Sequence, residues 1–138
     1  MKTRLFINFL FASLLVGCSE DPSRYLTSLA SYAQLEREVG CDSKFSDDKK
    51  KDIFEEHYKN RWMTWSGTVV HPNKGEVSLN IDKTGIQDLT VDFSDGELGY
   101  NLVEDDEITV KFVMKTLGGC FLPYTGEHAI IEYYPLLK

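Results

Sequence analysis

Cysteine and histidine are scarce in this sequence, with three of each among 138 residues. No Cys-x-x-Cys motif occurs, which argues against a thioredoxin-like redox site. No pair of these residues has the short spacing of zinc ligands, so we expect no zinc site. We interpret the three histidines as surface residues rather than as metal ligands or catalytic bases: His57, His71 and His128.

The sequence also lacks the signatures of common enzymes. No serine lies in a Gly-x-Ser-x-Gly turn, and there is no phosphate-binding glycine loop. The acidic stretches 92–97 and 104–107 do not have the alternating ligands, the glycine and the distal glutamate of an EF-hand. We interpret both as solvated turns and expect a protein without catalytic activity, bound metal or cofactor.

Basic residues are too few to balance the acids, since 15 Lys and Arg stand against 22 Asp and Glu, a net charge of −7. Residues 1–17 contain Lys2 and Arg4 but no acid, so the chain without them carries −9. A body of this charge repels the phosphates of nucleic acids. We therefore expect no nucleic-acid partner.

The one long apolar stretch lies at the N-terminus. After the basic residues, residues 5–16 are almost wholly apolar but too short for a membrane-spanning helix, which needs about 20 residues. This build is typical of a secretory signal peptide. The stretch ends in Leu15-Val16-Gly17-Cys18, which resembles the lipobox of bacterial lipoproteins. The alternative is an ordinary signal peptide, or a membrane anchor, that ends in cysteine by chance.

The resemblance to lipoproteins implies that residues 1–17 are removed and that Cys18 is acylated on its thiol and on its new amine. Two or three acyl chains anchor a protein stably, whereas one would be marginal. Residues 18–21 would form the lipidated tether. Ser19 follows the cysteine, where an aspartate usually retains enterobacterial lipoproteins in the inner membrane. We expect a cell-envelope protein, at the outer membrane facing the periplasm rather than at the inner membrane.

Cys41 and Cys120 then remain as an even pair in an oxidising compartment, so we predict a disulfide bond between them. The bond would close a loop of about 80 residues, and the chain-entropy model assigns it about 4 kcal/mol of stability.

Two helices are predicted at the start of the mature chain. The first covers residues 22–39, with Asp21 as its N-cap and Pro22 at its first position. The second begins after the cap Ser46 and ends near Asn60. The apolar stripe of the first helix has helical spacing: Leu26, Leu29, Ala30 and Ala33.

Beyond Arg61 the apolar residues alternate, which predicts five strands. A short helical turn around residues 100–103 is expected between the third and fourth strands, and a loop over residues 115–125 before the fifth. The inward residues of the strands are expected to be Met63, Trp65, Gly67 and Val69, then Val77, Leu79 and Ile81, then Leu89, Val91 and Phe93, then Ile108, Val110 and Phe112, then Ala129, Ile131 and Tyr133.

Five antiparallel strands, with a longer connection between the third and the fourth, predict a Greek-key barrel of the OB type. The chain would be mainly β, α+β by content, with residues 22–60 as a helical segment packed on the β domain, residues 61–138. Gly67 fits this fold because a glycine within the first strand lets it bend. The alternatives are a five- to six-stranded sandwich, another small barrel or a generic antiparallel β domain.

Two blocks of the sequence resemble the bacterial OB domains called tRNA_anti-like. In residues 58–82, Trp65-Ser66-Gly67-Thr68-Val69 is similar to the family's first strand of pattern x-x-G-x-V. Residues 102–112 contain a leucine, an acidic turn and a strand of V-x-V-x-F type, which are similar to a later block of the same family. The resemblance covers residues 58–134 and implies a fold rather than tRNA binding.

Three aromatic residues, Trp62, Tyr100 and Tyr124, form a candidate partner surface. Trp62 and Trp65 lie on opposite faces of a regular first strand, so only one of them needs to be core. The competing interpretation, which we favour, packs both tryptophans beneath the N-terminal helices. We expect a membrane-anchored, non-catalytic protein-binding module of an envelope-assembly, exclusion or immunity type. The alternative is a lipoprotein that binds a small molecule or an oligosaccharide.

Overall fold

The structure is a computed structural model that describes residues 20–135. The predicted signal peptide and Cys18 lie outside these residues. The elements, in chain order, are a 3-10 turn Pro22–Arg24, helices α1 (Tyr32–Val39) and α2 (Asp47–His57), strands β1 (Trp62–Pro72), β2 (Glu76–Asn80) and β3 (Leu89–Phe93), a 3-10 turn Leu98–Asn101, and strands β4 (Glu107–Thr116) and β5 (Tyr124–Tyr133). No helix in this part of the chain has the length and hydropathy needed to cross a membrane.

The five strands close into a barrel in the order β1-β2-β3-β5-β4. The prediction of a mainly β chain with a five-stranded barrel and two preceding helices is confirmed. The prediction that all strands are antiparallel is wrong, because β3 and β5 run parallel, with Leu89 opposite Tyr124. A closed ring with an odd number of strands cannot alternate direction throughout, so at least one neighbouring pair must be parallel.

Strand β1 belongs to both sides of the barrel. It pairs with β4 from Trp62 to Thr68 and with β2 from Thr68 onward. Gly67 lies at this change of partner, and a Cβ atom there would be 2.8 Å from the carbonyl oxygen of Asn80. Such contact would force the strands apart, so the close approach explains the glycine that the sequence places in the middle of the strand.

The predicted first helix is wrong over its first half. Helix α1 begins only after Ser31, whose hydroxyl accepts a hydrogen bond from the backbone N–H of Gln34. Pro22–Arg24 form the 3-10 turn, and the residues after this turn pair with the start of β1, where β2 does not yet pair with that strand. The N–H of Ser28 donates to the carbonyl oxygen of Trp62 at 2.8 Å, and the N–H of Trp62 donates to that of Leu26 at 2.9 Å. The helical spacing of the apolar residues did not decide the structure here, because the backbone groups of β1 obtain hydrogen bonds from this segment when it is extended.

Several element boundaries also differ from prediction. Strand β5 begins at Tyr124, inside the predicted loop, because its first residues complete the pairing with β3 and β4. His128 has a φ of 56° within β5, and Tyr133 beyond it is 61% exposed rather than inward. Ile81 is half-buried just past the end of β2. The remaining predicted inward residues of β1 to β4 are buried.

Candidate functional site

A cleft of about 600 Å³ opens on the barrel beside helix α1. Its other walls are the β2–β3 loop, residues 81–88, and the β4–β5 loop, residues 117–123. Cys41 and Cys120 form a disulfide in its lining, with their Cα atoms 4.9 Å apart, which confirms the predicted pair. The bond fastens the β4–β5 loop to the chain that leaves α1. We call this site the disulfide cleft.

Two tyrosines line the inner part of the cleft. Tyr124 is 3% exposed, and its hydroxyl donates to Glu36 at 2.8 Å. Tyr32 is half-buried, and its hydroxyl donates to Asp88 at 3.0 Å. The two rings meet edge to face at 6.1 Å, and both contact Trp65 in the same manner. Three mutually packed rings with anchored hydroxyls make this a rigid surface.

Both tyrosine hydroxyls stay protonated over the neutral range. Burial raises the pKa of Tyr124, and the neighbouring charge of Glu36 raises it further. Burial likewise raises the pKa of Tyr32, with the charges of Asp88 and Glu36 adding to the effect. The two phenols therefore act as permanent donors to these carboxylates rather than as proton-transfer groups.

Asp88 organises the β2–β3 loop. Its Oδ2 accepts hydrogen bonds from the backbone N–H groups of Ile81 at 2.6 Å and Asp82 at 3.1 Å. Asp82 in turn accepts from the backbone N–H of Thr84 at 2.7 Å. Because successive N–H groups of the loop have side-chain acceptors, this wall of the cleft is ordered without a ligand.

The outer rim of the cleft is apolar and exposed. Ile86 on the β2–β3 loop is 73% exposed, while Phe121 and Leu122 on the β4–β5 loop are 98% and 72% exposed. The N–H of Gly119 donates to the carbonyl oxygen of Leu122 at 2.8 Å, which closes a tight turn with Phe121 inside it. All three residues line the same cleft, so their exposed apolar side chains are gathered at one site.

The charge at the cleft is negative. Its lining includes the carboxylates of Glu36, Asp82 and Asp88, whereas none of its lining residues is Lys or Arg. His71 also lines the cleft. Within residues 20–135 no group of three or more His, Cys, Asp or Glu side chains is arranged to hold a metal ion. The cleft can therefore offer apolar contacts and negative charge to a bound group.

No match to the chain is found among protein-family models, curated proteins or solved structures.

The three residues of the candidate partner surface do not share one surface. Tyr124 is buried in the cleft, Tyr100 is 73% exposed on the turn between β3 and β4, and Trp62 is half-buried on β1. The indole N–H of Trp62 donates to the carbonyl oxygen of Pro22 at 2.9 Å, and that of Trp65 donates to Ala30 at 2.9 Å. Both tryptophans thus lie against the N-terminal segment.

The rim residues were missed from the sequence, although one signal was present. Phe121 and Leu122 directly follow Gly118-Gly119-Cys120 in a stretch predicted as a loop. Two large apolar residues in a glycine-flanked loop next to a disulfide cysteine have no place in a strand pattern, which favours an exposed contact site. Of the histidines, His57 and His71 are exposed and His128 is half-buried.

Proposed function

We propose that the chain is an acylated lipoprotein of the cell envelope, without catalytic activity, whose barrel is of the OB type and binds a protein partner at the disulfide cleft. The observation that carries the proposal is the exposed apolar rim, Ile86, Phe121 and Leu122, of a cleft with an acidic lining. The lipobox supports the anchor. The strand number, the closure of the sheet and Gly67 at the bend of β1 support the OB assignment.

The proposed partner presents an apolar side chain next to a basic one. An apolar anchor would enter between Ile86 and Phe121, where it buries surface on both. Its lysine or arginine would face Glu36 and Asp82, and charge complementarity of this kind favours the correct partner and speeds encounter. The disulfide and the contacts of Asp88 fix both loops before binding, which reduces the ordering that association requires.

A second function has one observation in its favour. The cleft volume of about 600 Å³ lies within the range of small-molecule sites. A small molecule or an oligosaccharide could contact the exposed ring of Phe121, which is 98% exposed. The hydroxyls of Tyr32 and Tyr124, however, already donate to carboxylates, so they offer a sugar fewer free donors.

Site-specific photo-cross-linking in the cells that make the protein tests the binding site. The full-length chain carries a benzoylphenylalanine in place of Phe121, and the matched control carries it in place of Tyr100, which is also exposed but outside the cleft. We expect a light-dependent, protease-sensitive adduct of discrete mass at 121 only. Ile86→Glu or Leu122→Glu should abolish it. Equal adducts at both positions, or none at 121, would contradict the protein partner.

The anchor is tested separately by metabolic labelling with palmitate. The wild-type chain should take up the label, and Cys18→Ala should abolish it and leave an unprocessed precursor. Label that persists in the Cys18→Ala chain would contradict acylation at this residue.

A further inference from the structure

The proposed anchor lies very close to the folded part of the chain. Cys18 precedes Glu20, the first described residue, by two positions. Two residues span at most about 7 Å even when fully extended. Whatever fixes Glu20 on the barrel therefore also fixes the distance between the barrel and an acylated Cys18.

Glu20 is held by two side chains. Its carboxylate accepts a hydrogen bond from the hydroxyl of Tyr25 and another from the ammonium group of Lys115 at 3.2 Å. Lys115 also donates to Asn60 at 3.0 Å, and its ammonium lies 5.3 Å from the centre of the Tyr25 ring. The hydrogen bond from Tyr25, together with Lys115, lowers the pKa of Glu20, so this carboxylate is ionised at neutral pH.

The residues that follow are held as well. The carbonyl oxygen of Pro22 accepts from the indole of Trp62, and the backbones of Leu26 and Ser28 pair with that of Trp62. From Glu20 to Ser28 the chain is thus attached to β1 and β4 at several points. A flexible linker between lipid and domain would have no such contacts.

This attached segment also exposes apolar and basic side chains. Leu26 is 65% exposed and Leu29 is 98% exposed, and neither belongs to the buried core. The side chain of Arg24 is 85% exposed and pairs with Asp21 at 3.7 Å, so its charge is balanced within the segment. Exposed leucines on a segment that begins at a lipid anchor match the apolar layer of a bilayer interface.

We propose that residues 20–29 form a membrane-docking strap that holds the barrel directly against the bilayer, with Leu26 and Leu29 in contact with the lipid. The inference rests on the proposed acylation of Cys18. The strap contacts the bilayer rather than a protein because the acyl chains must enter the bilayer within about 7 Å of Glu20. The strap would also limit the orientations that the disulfide cleft can adopt relative to the bilayer.

Paramagnetic relaxation in lipid nanodiscs tests the strap. The acylated full-length protein, with labelled Leu and Val methyl groups, is placed in phosphatidylethanolamine–phosphatidylglycerol nanodiscs containing a gadolinium-chelating lipid. We expect the methyl signals of Leu26 and Leu29 to be attenuated severalfold more than those of Val103. Val103 is also exposed, at 55%. It precedes Glu107, the first residue of β4, and Glu107 lies about 26 Å along that strand from Lys115.

A matched variant removes the distance limit and keeps the anchor. It carries a flexible glycine–serine insertion of about ten residues between Ser19 and Glu20. Attenuation at Leu26 and Leu29 should fall towards that of Val103. Mass spectrometry of the same samples separates the two proposals: an acylated Cys18 with equal attenuation at all three residues would overturn the strap alone. An unmodified Cys18 would overturn both the anchor and the strap.

Discussion

Tyr32 and Asp88, which are 56 positions apart in the chain, are joined by a hydrogen bond of 3.0 Å from the phenol to the carboxylate. The other oxygen of Asp88 accepts from the backbone of the β2–β3 loop. One side chain therefore connects helix α1 with that loop and fixes the walls of the disulfide cleft relative to each other.

Replacing Asp88 should destabilise the protein and loosen the cleft. Asp88→Ala leaves the backbone N–H groups of Ile81 and Asp82 and the hydroxyl of Tyr32 without their acceptor, and groups deprived of a partner in this way cost about 1–3 kcal/mol. Urea unfolding followed by tryptophan fluorescence measures the loss. Asp88→Asn keeps one acceptor oxygen and should lose less.

Asp92→Ala is the matched control, because Asp92 is exposed on β3. Its free energy of unfolding should change by no more than about 0.5 kcal/mol. If Asp88→Ala and Asp92→Ala had the same effect, Asp88 would not organise the loop.

Removing the disulfide should lower stability by more than any single contact of the cleft. Cys41 and Cys120 are 79 positions apart, and in the chain-entropy model a loop of this length contributes about 4 kcal/mol. The double variant Cys41→Ser with Cys120→Ser should show that loss in urea unfolding without reductant. Wild-type protein in excess dithiothreitol is the control and should behave alike. A loss below about 1 kcal/mol would contradict this role of the bond.

The sequence predicted what depends on local alternation and missed what depends on distant partners. The inward face of β1 follows from Met63, Trp65 and Val69, because one buried face imposes a period of two. Tyr124 looked like an exposed loop residue, yet its hydroxyl is satisfied by Glu36, 88 positions earlier. No local pattern reveals such a pair. The exposed Leu26 had helical spacing, but the edge of β1 competed for its backbone.

Acid should release the contact of Glu20 with the barrel. Its folded-state pKa is below the ordinary value of 4.5, mainly through the hydrogen bond from Tyr25 and then that from Lys115. The contact is therefore fully present above pH 4.5 and is lost as the pH falls through the folded-state pKa. The protection factors of the backbone amides around Tyr25, which are corrected for the pH dependence of intrinsic exchange, should fall as the pH drops through the folded-state pKa.

Glu20→Gln at neutral pH is the matched variant for this prediction, because it removes the charge at similar size. It should show the lower protection around Tyr25 already at pH 7, while protection in the barrel core stays unchanged. Equal protection around Tyr25 in the wild-type and Glu20→Gln chains at pH 7 would contradict a role of this carboxylate in holding the segment.

Single-stranded nucleic acid should not bind, although barrels of the OB type often bind it on the face of their second and third strands. Here Glu76 and Asp92 are direct cross-strand partners on β2 and β3, which places two acids side by side on that wall. Neither strand contains Lys or Arg, and their one aromatic residue, Phe93, is only 8% exposed. Phosphate contacts would thus lack the counterion release that drives such binding.

Fluorescence anisotropy with labelled DNA and RNA oligonucleotides, using residues 19–138, checks this prediction. Low salt is the most permissive condition, since screening is weakest there. The anisotropy should stay at the value of the free oligonucleotide. Glu76→Lys combined with Asp92→Lys reverses both charges of the wall and serves as the comparison, in which weak binding that declines with added salt is expected. Saturable, salt-sensitive binding by the wild-type chain would show that the acidic wall is not what decides nucleic-acid affinity in this barrel.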